Sequence, residues 1–290
     1  MSVTTTPTGA PSGSLVGRLL LRGMLAGLIA GLFAFAVAYV AGEPSVNASI
    51  AVEEAAAAKA EHGGHAEHAA GAHDHGGNGA NGAATQADAE DAEEEIVSRD
   101  LQSTAGLATG VLVYGVALGG IASLAFCFVL GRVGRFTAKA TAALVAAAAF
   151  TTVYLVPFLK YPATPPAVGN PDTIGKRTTL FFLMILLSVL LGIAAVIAGR
   201  RLAPRLGNWN ATVVAGAGFV AAVAIACAFL PANTDAVQAD FPAAVLWDFR
   251  LATLGIQAGL WTVFGLAFGL LAERLLAPKP APEAVPAPAA

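Results

Sequence analysis

Long apolar stretches separated by polar segments divide this 290-residue chain. A helix needs about 20 apolar residues to cross the hydrocarbon core of a bilayer. None of the long stretches has Asp, Glu, Lys, Arg or His in its middle. A helix satisfies its own backbone hydrogen bonds in lipid, and the strict alternation of β-barrel strands is absent. The pattern predicts an all-α, polytopic transmembrane helix bundle with about six spans, near 19–41, 105–130, 140–159, 178–198, 211–230 and 251–272.

The polar segments outline the domain organisation. Residues 1–17 and 277–290 are rich in small residues and proline, which predicts disordered tails on either side of a transmembrane domain at 18–276. The long polar stretch at 42–104 interrupts that domain and is predicted to be an insertion, whereas the other loops are short.

Composition supports the bilayer as the solvent of this chain. It is 56% hydrophobic and only 12% charged, and a soluble domain carries about twice that share of charged residues. The net charge of −3 gives no basic signal for nucleic acid. Cys127 and Cys227 lie in apolar stretches, which indicates packing residues and no disulfide.

Charge asymmetry predicts the orientation. Ten of the 16 basic residues flank the ends that would be cytoplasmic, and 17 of the 19 acidic residues fall on the other side. Both termini are therefore predicted to be cytoplasmic, and the 42–104 insertion to be extracytoplasmic. Arg18, Arg22 and the first apolar stretch also resemble a signal peptide. The spacing of Gly23, Gly27 and Gly31 instead suggests a span packed into the bundle.

The six stretches can be grouped into three helical hairpins of the same orientation. Each hairpin begins at a Gly-Arg pair, at 17–18, 131–132 and 199–200, and each second span follows a basic residue, namely Arg99, Arg177 or Arg250. This suggests three parallel repeats around a pathway along the membrane normal. The alternative is that any protein with an even number of spans and basic inner edges looks weakly repetitive. The three arginines would likewise either ring an outer mouth or anchor helix ends at the headgroups.

All five histidines lie within 14 residues of the insertion. Imidazole and carboxylate without thiolate suit Co²⁺, Ni²⁺, Zn²⁺ or Cu²⁺. The glycine-rich spacing favours a flexible collector over one rigid site, and the alternative is a polar spacer of low complexity. The candidate ligands are His62, His65, His68, His73, His75, Glu61, Glu67 and Asp74.

A second group of candidate ligands lies in the loops expected at the outer mouth. Asp235 and Asp240 could receive a partly dehydrated divalent ion, or they could simply cap the loop. Within the last apolar stretch, Gln257 and Thr262 could bond neighbouring helices or line a path.

The sequence contains no nucleotide-binding loop, no G-x-S-x-G elbow and no HExxH helix, so we do not expect an enzyme. We also expect no permanently bound cofactor. The metal would be the cargo, with Co²⁺ favoured and Ni²⁺ or Zn²⁺ as alternatives.

Several segments together resemble the CbtA family of cobalt transporter subunits over about residues 15–276. They are Gly42-Glu43-Pro44, the histidine segment, V-S-R-D-L-Q-S at 97–103, V-P-F-L-K-Y-P at 156–162, P-P-A-V-G-N-P-D-T-I-G at 165–175 and F-P-A-A-V-L-W-D-F-R at 241–250. The resemblance implies an inner-membrane protein of bacteria that takes up cobalt for cobalamin synthesis. It also implies a small, single-span, histidine-bearing partner of the CbtB type. The family is usually described with five spans, whereas six apolar stretches occur here.

The resulting hypothesis is a transport subunit whose histidine loop captures the ion and passes it to or through the bundle. The rival hypothesis is an accessory protein that gathers metal for a separate conducting partner. The absence of charged side chains in the middle of every span favours the rival, because a bare divalent ion crosses lipid at great cost. Membrane lipid surrounds the predicted spans, and association between copies of the chain is a further alternative.

Overall fold

The computed structural model describes residues 14–68, 98, 101–165, 173–233, 237 and 241–277. Within these ranges the protein is helical and contains no strand, which confirms the all-α prediction. Five of its helices are long and apolar enough to cross a membrane. The histidines and acids predicted beyond residue 68, and the loop acids Asp235 and Asp240, lie outside the described residues.

The first helix is longer than its apolar stretch. Helix α1, Leu15–Val37, continues through a π-helical turn at Ala38–Gly42 into α2, Glu43–His68. The Ser14 hydroxyl caps the start of α1 by accepting a hydrogen bond of 3.2 Å from the Gly17 amide. Alanines between residues 51 and 60 favour helix, and α2 extends well beyond the apolar part. The first part of the predicted 42–104 insertion is therefore helical.

The next two apolar stretches form helices with one irregular turn each. A π-helical turn at Gln102–Gly106 leads into α3, Leu107–Val129, and Gly131 reverses the chain with a φ of 72°. Helix α4, Ala138–Ala149, continues through a π-helical turn at Phe150–Leu155 into α5, Val156–Lys160. The Thr137 hydroxyl caps α4 through the amide of Ala140 at 3.2 Å.

The fourth long helix contains two of the predicted stretches. Helix α6 runs from Ile174 to Phe229, but Gly207 has φ 77° and ψ 159°, which is a conformation open essentially to glycine alone. The chain reverses there, and a Cβ at Gly199 would lie 3.2 Å from that of Ala215. The two arms of α6 are therefore antiparallel neighbours. Helix α7, Ala243–Leu276, follows, so six apolar stretches occupy five helices.

Glycine contacts join α1 to α3. A Cβ added at Gly115 would lie 2.6 Å from the Gly27 carbonyl oxygen and 3.1 Å from the Cα of Gly31. The backbones therefore touch, as small-residue spacing permits. This confirms the packing predicted for Gly27 and Gly31. Gly110, which is four residues from Gly106, has no neighbour within 4 Å of a Cβ.

Helix α7 is the central helix of the bundle. It packs on α1 and on α4, and its buried aromatic residues Trp261, Phe264 and Phe268 form the core with Phe126 of α3. The third predicted hairpin would pair the second arm of α6 with α7. Over the residues described, these two helices contact one another little, because α6 packs on its own first arm and on the 150–160 segment. The packing is therefore not threefold, unlike the predicted repeat.

The antiparallel neighbours define two ends of the bundle. We call one of them the Lys139 end. It contains the helix termini at Leu15, Val129, Ala138 and Leu276, which belong to α1, α3, α4 and α7, and the reversal at Gly207. Gly42, Lys160, Phe229 and Ala243 lie at the other, the Arg250 end. Lys139 and Glu273 form an ion pair between α4 and α7 at the first of these ends. The basic residues towards that end are Arg18, Arg22, Arg132, Arg135, Lys139, Arg200, Arg201, Arg205 and Arg274.

Candidate functional site

The predicted metal collector is only partly within the described residues. The backbone of Glu61, His62, His65, Glu67 and His68 forms the last turns of α2. The remaining candidates, His73, Asp74, His75, Asp235 and Asp240, lie outside the described residues. In the part of the chain that the structure describes, no three His, Cys, Asp or Glu side chains come together as a metal site.

Three long-range hydrogen bonds hold the Arg250 end together. Lys160 Nζ donates to the Cys227 carbonyl at 2.7 Å, and Tyr161 Oη donates to the Pro231 carbonyl at 2.9 Å. Arg250 Nε donates to the Ala163 carbonyl at 3.3 Å. Burial raises the pKa of Tyr161, so its hydroxyl remains a donor at neutral pH. The basic side chains here bind backbone carbonyls and thereby connect α5 and the segment after it to α6 and α7.

Polar side chains from three parts of the bundle meet below this end. Gln257 of α7 lies close to Tyr114 on α3. Tyr154, in the π-helical turn at Phe150–Leu155, lies beside Thr253 of α7 and near Tyr114. We call Tyr114, Tyr154, Thr253 and Gln257 the polar cluster. At 1.5 Å per residue, Gln257 lies roughly 9 Å along the helix from residue 251, where the last apolar stretch begins.

Two atoms of the polar cluster are buried without a hydrogen-bond partner of normal geometry. They are Gln257 Oε1 and Tyr154 Oη. Trp261 Nε1, one turn further along α7, is also buried and unpaired, and only 4% of Trp261 is exposed. Buried polar atoms are nearly always paired, and an unpaired one costs about 1–3 kcal/mol. The two unpaired atoms of the polar cluster, Gln257 Oε1 and Tyr154 Oη, therefore indicate a place where a polar ligand or water belongs.

The π-helical turn positions Tyr154. Its ring stacks between Phe150 and Phe158, with centroids 6.1 and 5.5 Å away. The Thr151 and Thr152 hydroxyls bond the carbonyls of the preceding turn at 2.8 Å, so they do not compete for the Tyr154 hydroxyl. Short π-helical turns inside α-helices occur frequently at functional sites.

The structure separates the two polar residues that the sequence proposed within α7. Gln257 is half-buried at the polar cluster, whereas Thr262 is exposed and lines an apolar groove of about 290 Å³ between α4 and α7. Tyr114, Tyr154 and Thr253 were missed from sequence. A tyrosine in an apolar stretch looks like a packing residue, and only its neighbours across the bundle reveal the polar contact.

Comparison with known families adds the functional context. The sequence model described as "Probable cobalt transporter subunit (CbtA)" matches residues 16–273, which is most of the chain. The chain belongs to the CbtA family. Membership confirms the resemblance seen in the sequence, and the five helices of spanning length fit a multi-pass membrane protein of this family of cobalt transporter subunits. Searches of curated proteins and of solved structures give no match.

Proposed function

We propose that this CbtA-family chain takes up Co²⁺ from outside the cell by collecting it on its histidine segment and passing it to or through the helix bundle. One observation carries the proposal: all five histidines of the chain fall at 62–75, and the first three of them lie in the last turns of α2, the helix that begins at the Arg250 end. The family supplies cobalt as the cargo.

The ligand chemistry of the segment is compatible with that cargo. Neutral imidazoles and carboxylates bind Co²⁺, Ni²⁺ and Zn²⁺ in the general order of first-row affinities, so supply and partners would decide the metal. Imidazoles protonate near pH 6, and metal capture should weaken below it. The acidic run at 88–95 would add only a diffuse attraction for cations.

The proposed direction is uptake across the inner membrane of a bacterium. The basic residues at the Lys139 end support a cytoplasmic location for that end by the positive-inside rule, with both termini on the same side. The histidine segment would then face outward. The family resemblance connects this uptake to cobalamin synthesis, and a transport subunit has no need of catalysis.

A partner subunit is part of the proposal, because the family is described as a subunit. We propose a single-span, histidine-bearing protein of the CbtB type, and association between copies of this chain is a further arrangement. The second candidate function is an accessory one, in which the partner conducts the ion. It is favoured by the absence of charged side chains in the middle of the apolar stretches.

The direct test is metal accumulation in a host that lacks its own cobalt uptake. Cells would express this chain alone, with the partner, or neither, and receive Co, Ni, Zn or Cu separately. We expect cobalt accumulation only when this chain is present. Uptake by the chain alone supports conduction through its bundle, and uptake only with the partner supports the accessory role. No metal accumulation in either case would contradict the proposal.

A variant with all five histidines changed to asparagine tests the collector. Asparagine keeps the segment polar but does not replace imidazole as a metal ligand, so uptake at low external cobalt should fall while high cobalt partly restores it. The matched control changes the six acids at 88–95 to amides and should have a much smaller effect. Equal uptake by the wild type and the histidine variant at low cobalt would refute the collector.

A further inference from the structure

We propose that Tyr114, Tyr154, Thr253 and Gln257 form a binding site for a hydrated divalent cation inside the bundle. The identity of the cation as the transported metal rests on the proposed function. The site would hold that metal between the histidine segment and the far side of the membrane. At the polar cluster, uncharged side chains that carry oxygen come from three different parts of the bundle and lie close together at membrane depth.

The position of the cluster supports this assignment. Thr253 and Gln257 are four residues apart on α7 and so lie on one face of that helix. Tyr114, which is 44% exposed and so lies at the edge of the site, approaches from α3, and Tyr154 approaches from the π-helical turn. The cluster also lies one turn beyond Arg250, whose Nε is bound to the Ala163 carbonyl outside the cluster. The guanidinium is therefore directed to the segment after α5.

The chemistry of the cluster fits a cation that keeps its water. Gln257 Oε1 and Tyr154 Oη are buried acceptors without partners, and water molecules bound to a cation are strong donors. Uncharged oxygens would hold such an ion weakly, which suits passage, because a transported ion must leave its site as well as enter it. A carboxylate at this depth would be costly when the ion is absent.

The irregular backbone near the cluster is consistent with a polar interior. The described chain has three π-helical turns, at Ala38–Gly42, Gln102–Gly106 and Phe150–Leu155, each in the part of its helix towards the Arg250 end. The first and third contact α7. In membrane proteins, irregular backbone at this depth is tolerated where it is buried in protein or lines a cavity.

Trp261 is a natural reporter for the site. It lies one turn from Gln257, and the chain has only two other tryptophans, Trp209 and Trp247, which can be changed to phenylalanine. The five histidines would be changed to asparagine so that the collector binds no metal. Co²⁺ quenches tryptophan emission at short range, so titration of the purified full-length chain in detergent reports binding near Trp261. Mg²⁺ is the non-quenching competitor.

We expect saturable quenching by Co²⁺. The variants Gln257→Leu and Tyr154→Phe should each weaken the apparent affinity about tenfold, as loss of an outer-shell partner does at metal sites. Thr262→Val is the matched control, because it changes polarity next to Trp261 on the exposed side of α7. It should leave the titration unchanged. Gln257→Met, which nearly keeps the side-chain volume, replaces Gln257→Leu if the latter does not elute as folded protein.

The outcomes distinguish this inference from the proposed function. Non-saturable quenching, or equal titrations for wild type, Gln257→Met and Tyr154→Phe, would overturn the site even in a chain that transports cobalt. Failure of wild-type cells to accumulate any metal would overturn the transport proposal, whatever the fluorescence shows. With transport established, a lower uptake rate for Tyr154→Phe than for Thr262→Val supports the site.

Discussion

Glycines at the same sequence spacing have very different surroundings in this bundle. Gly115 touches the backbone of α1 at Gly27 and Gly31, whereas Gly110, five residues earlier on α3, has open space where a Cβ would be. Each has a second glycine four residues away, Gly106 for Gly110 and Gly119 for Gly115, so spacing alone does not distinguish them. Close approach of two helices requires small residues on both. Gly115 lies opposite glycines of α1, whereas Gly110 does not.

Alanine substitution at these two glycines should therefore have different effects on the stability of the protein. Gly115→Ala places a methyl group 2.6 Å from the Gly27 carbonyl oxygen and should destabilise the protein by about 1–3 kcal/mol. Gly110→Ala should be neutral or slightly stabilising, because alanine is the better helix former. The measurement is the thermal unfolding midpoint of each purified variant in the same detergent. Equal midpoints would show that α1 and α3 are not in backbone contact.

At the scale of elements, the reversal within α6 decides how the chain is threaded. Gly207 adopts a conformation that other residues avoid, and Pro204 precedes it by three residues. Met184 of the first arm packs near Phe219 and Val223 of the second. A single straight helix of 56 residues would be much longer than a bilayer is thick, whereas two arms fit one hairpin.

Cysteine cross-linking can test this hairpin. In a chain with Cys127 and Cys227 changed to alanine, the pair Gly199→Cys and Ala215→Cys should form a disulfide on mild oxidation, because the two Cβ atoms would be 3.2 Å apart. In a straight helix these positions would be roughly 24 Å apart. The disulfide is detected by a gel shift that reductant reverses.

The control pair for the cross-link is Gly199→Cys with Gly218→Cys. A Cβ at Gly218 meets nothing within 4 Å, so this pair should remain reduced. Cross-linking of both pairs would indicate collisions between mobile segments, and cross-linking of neither would contradict the reversal at Gly207.

At the scale of the whole molecule, the charge distribution and the packing agree on two distinct ends. The nine described basic residues towards the Lys139 end come from α1, α4, α6, α7 and the turn between α3 and α4, and several of these segments are far apart in sequence. Helix α2 projects from the other end and carries Glu53 and Glu54. Such a separation is what the positive-inside rule requires of a protein with one orientation.

Thiol labelling in intact cells should reveal this orientation. With the native cysteines removed, a membrane-impermeant maleimide should label Glu53→Cys on α2 but not Arg135→Cys in the turn between α3 and α4, since the bilayer shields the cytoplasmic end. Permeabilised cells provide the control, in which both positions should react. Labelling of Arg135→Cys alone in intact cells would invert the proposed topology, and the histidine segment could not collect external metal.

The sequence by itself determined the helical class, the six apolar stretches, the two differently charged ends and the family, because each depends on local pattern or on matching residues in order. Each predicted stretch lies within a helix apart from terminal residues. The histidine cluster is also a feature of sequence alone, and it stays a prediction.

Only the tertiary structure decided which residues meet. The repeat suggested threefold packing, whereas α7 is the central helix in the structure. The apolar pattern is similar on every helix, so the size and shape of side chains determine which helices are neighbours. The same holds for Tyr114, Tyr154 and Thr253, which are unremarkable in the sequence and form a polar cluster with Gln257 only when three helices pack. Hydropathy specifies that a segment is buried in lipid, and contact between segments depends on shape.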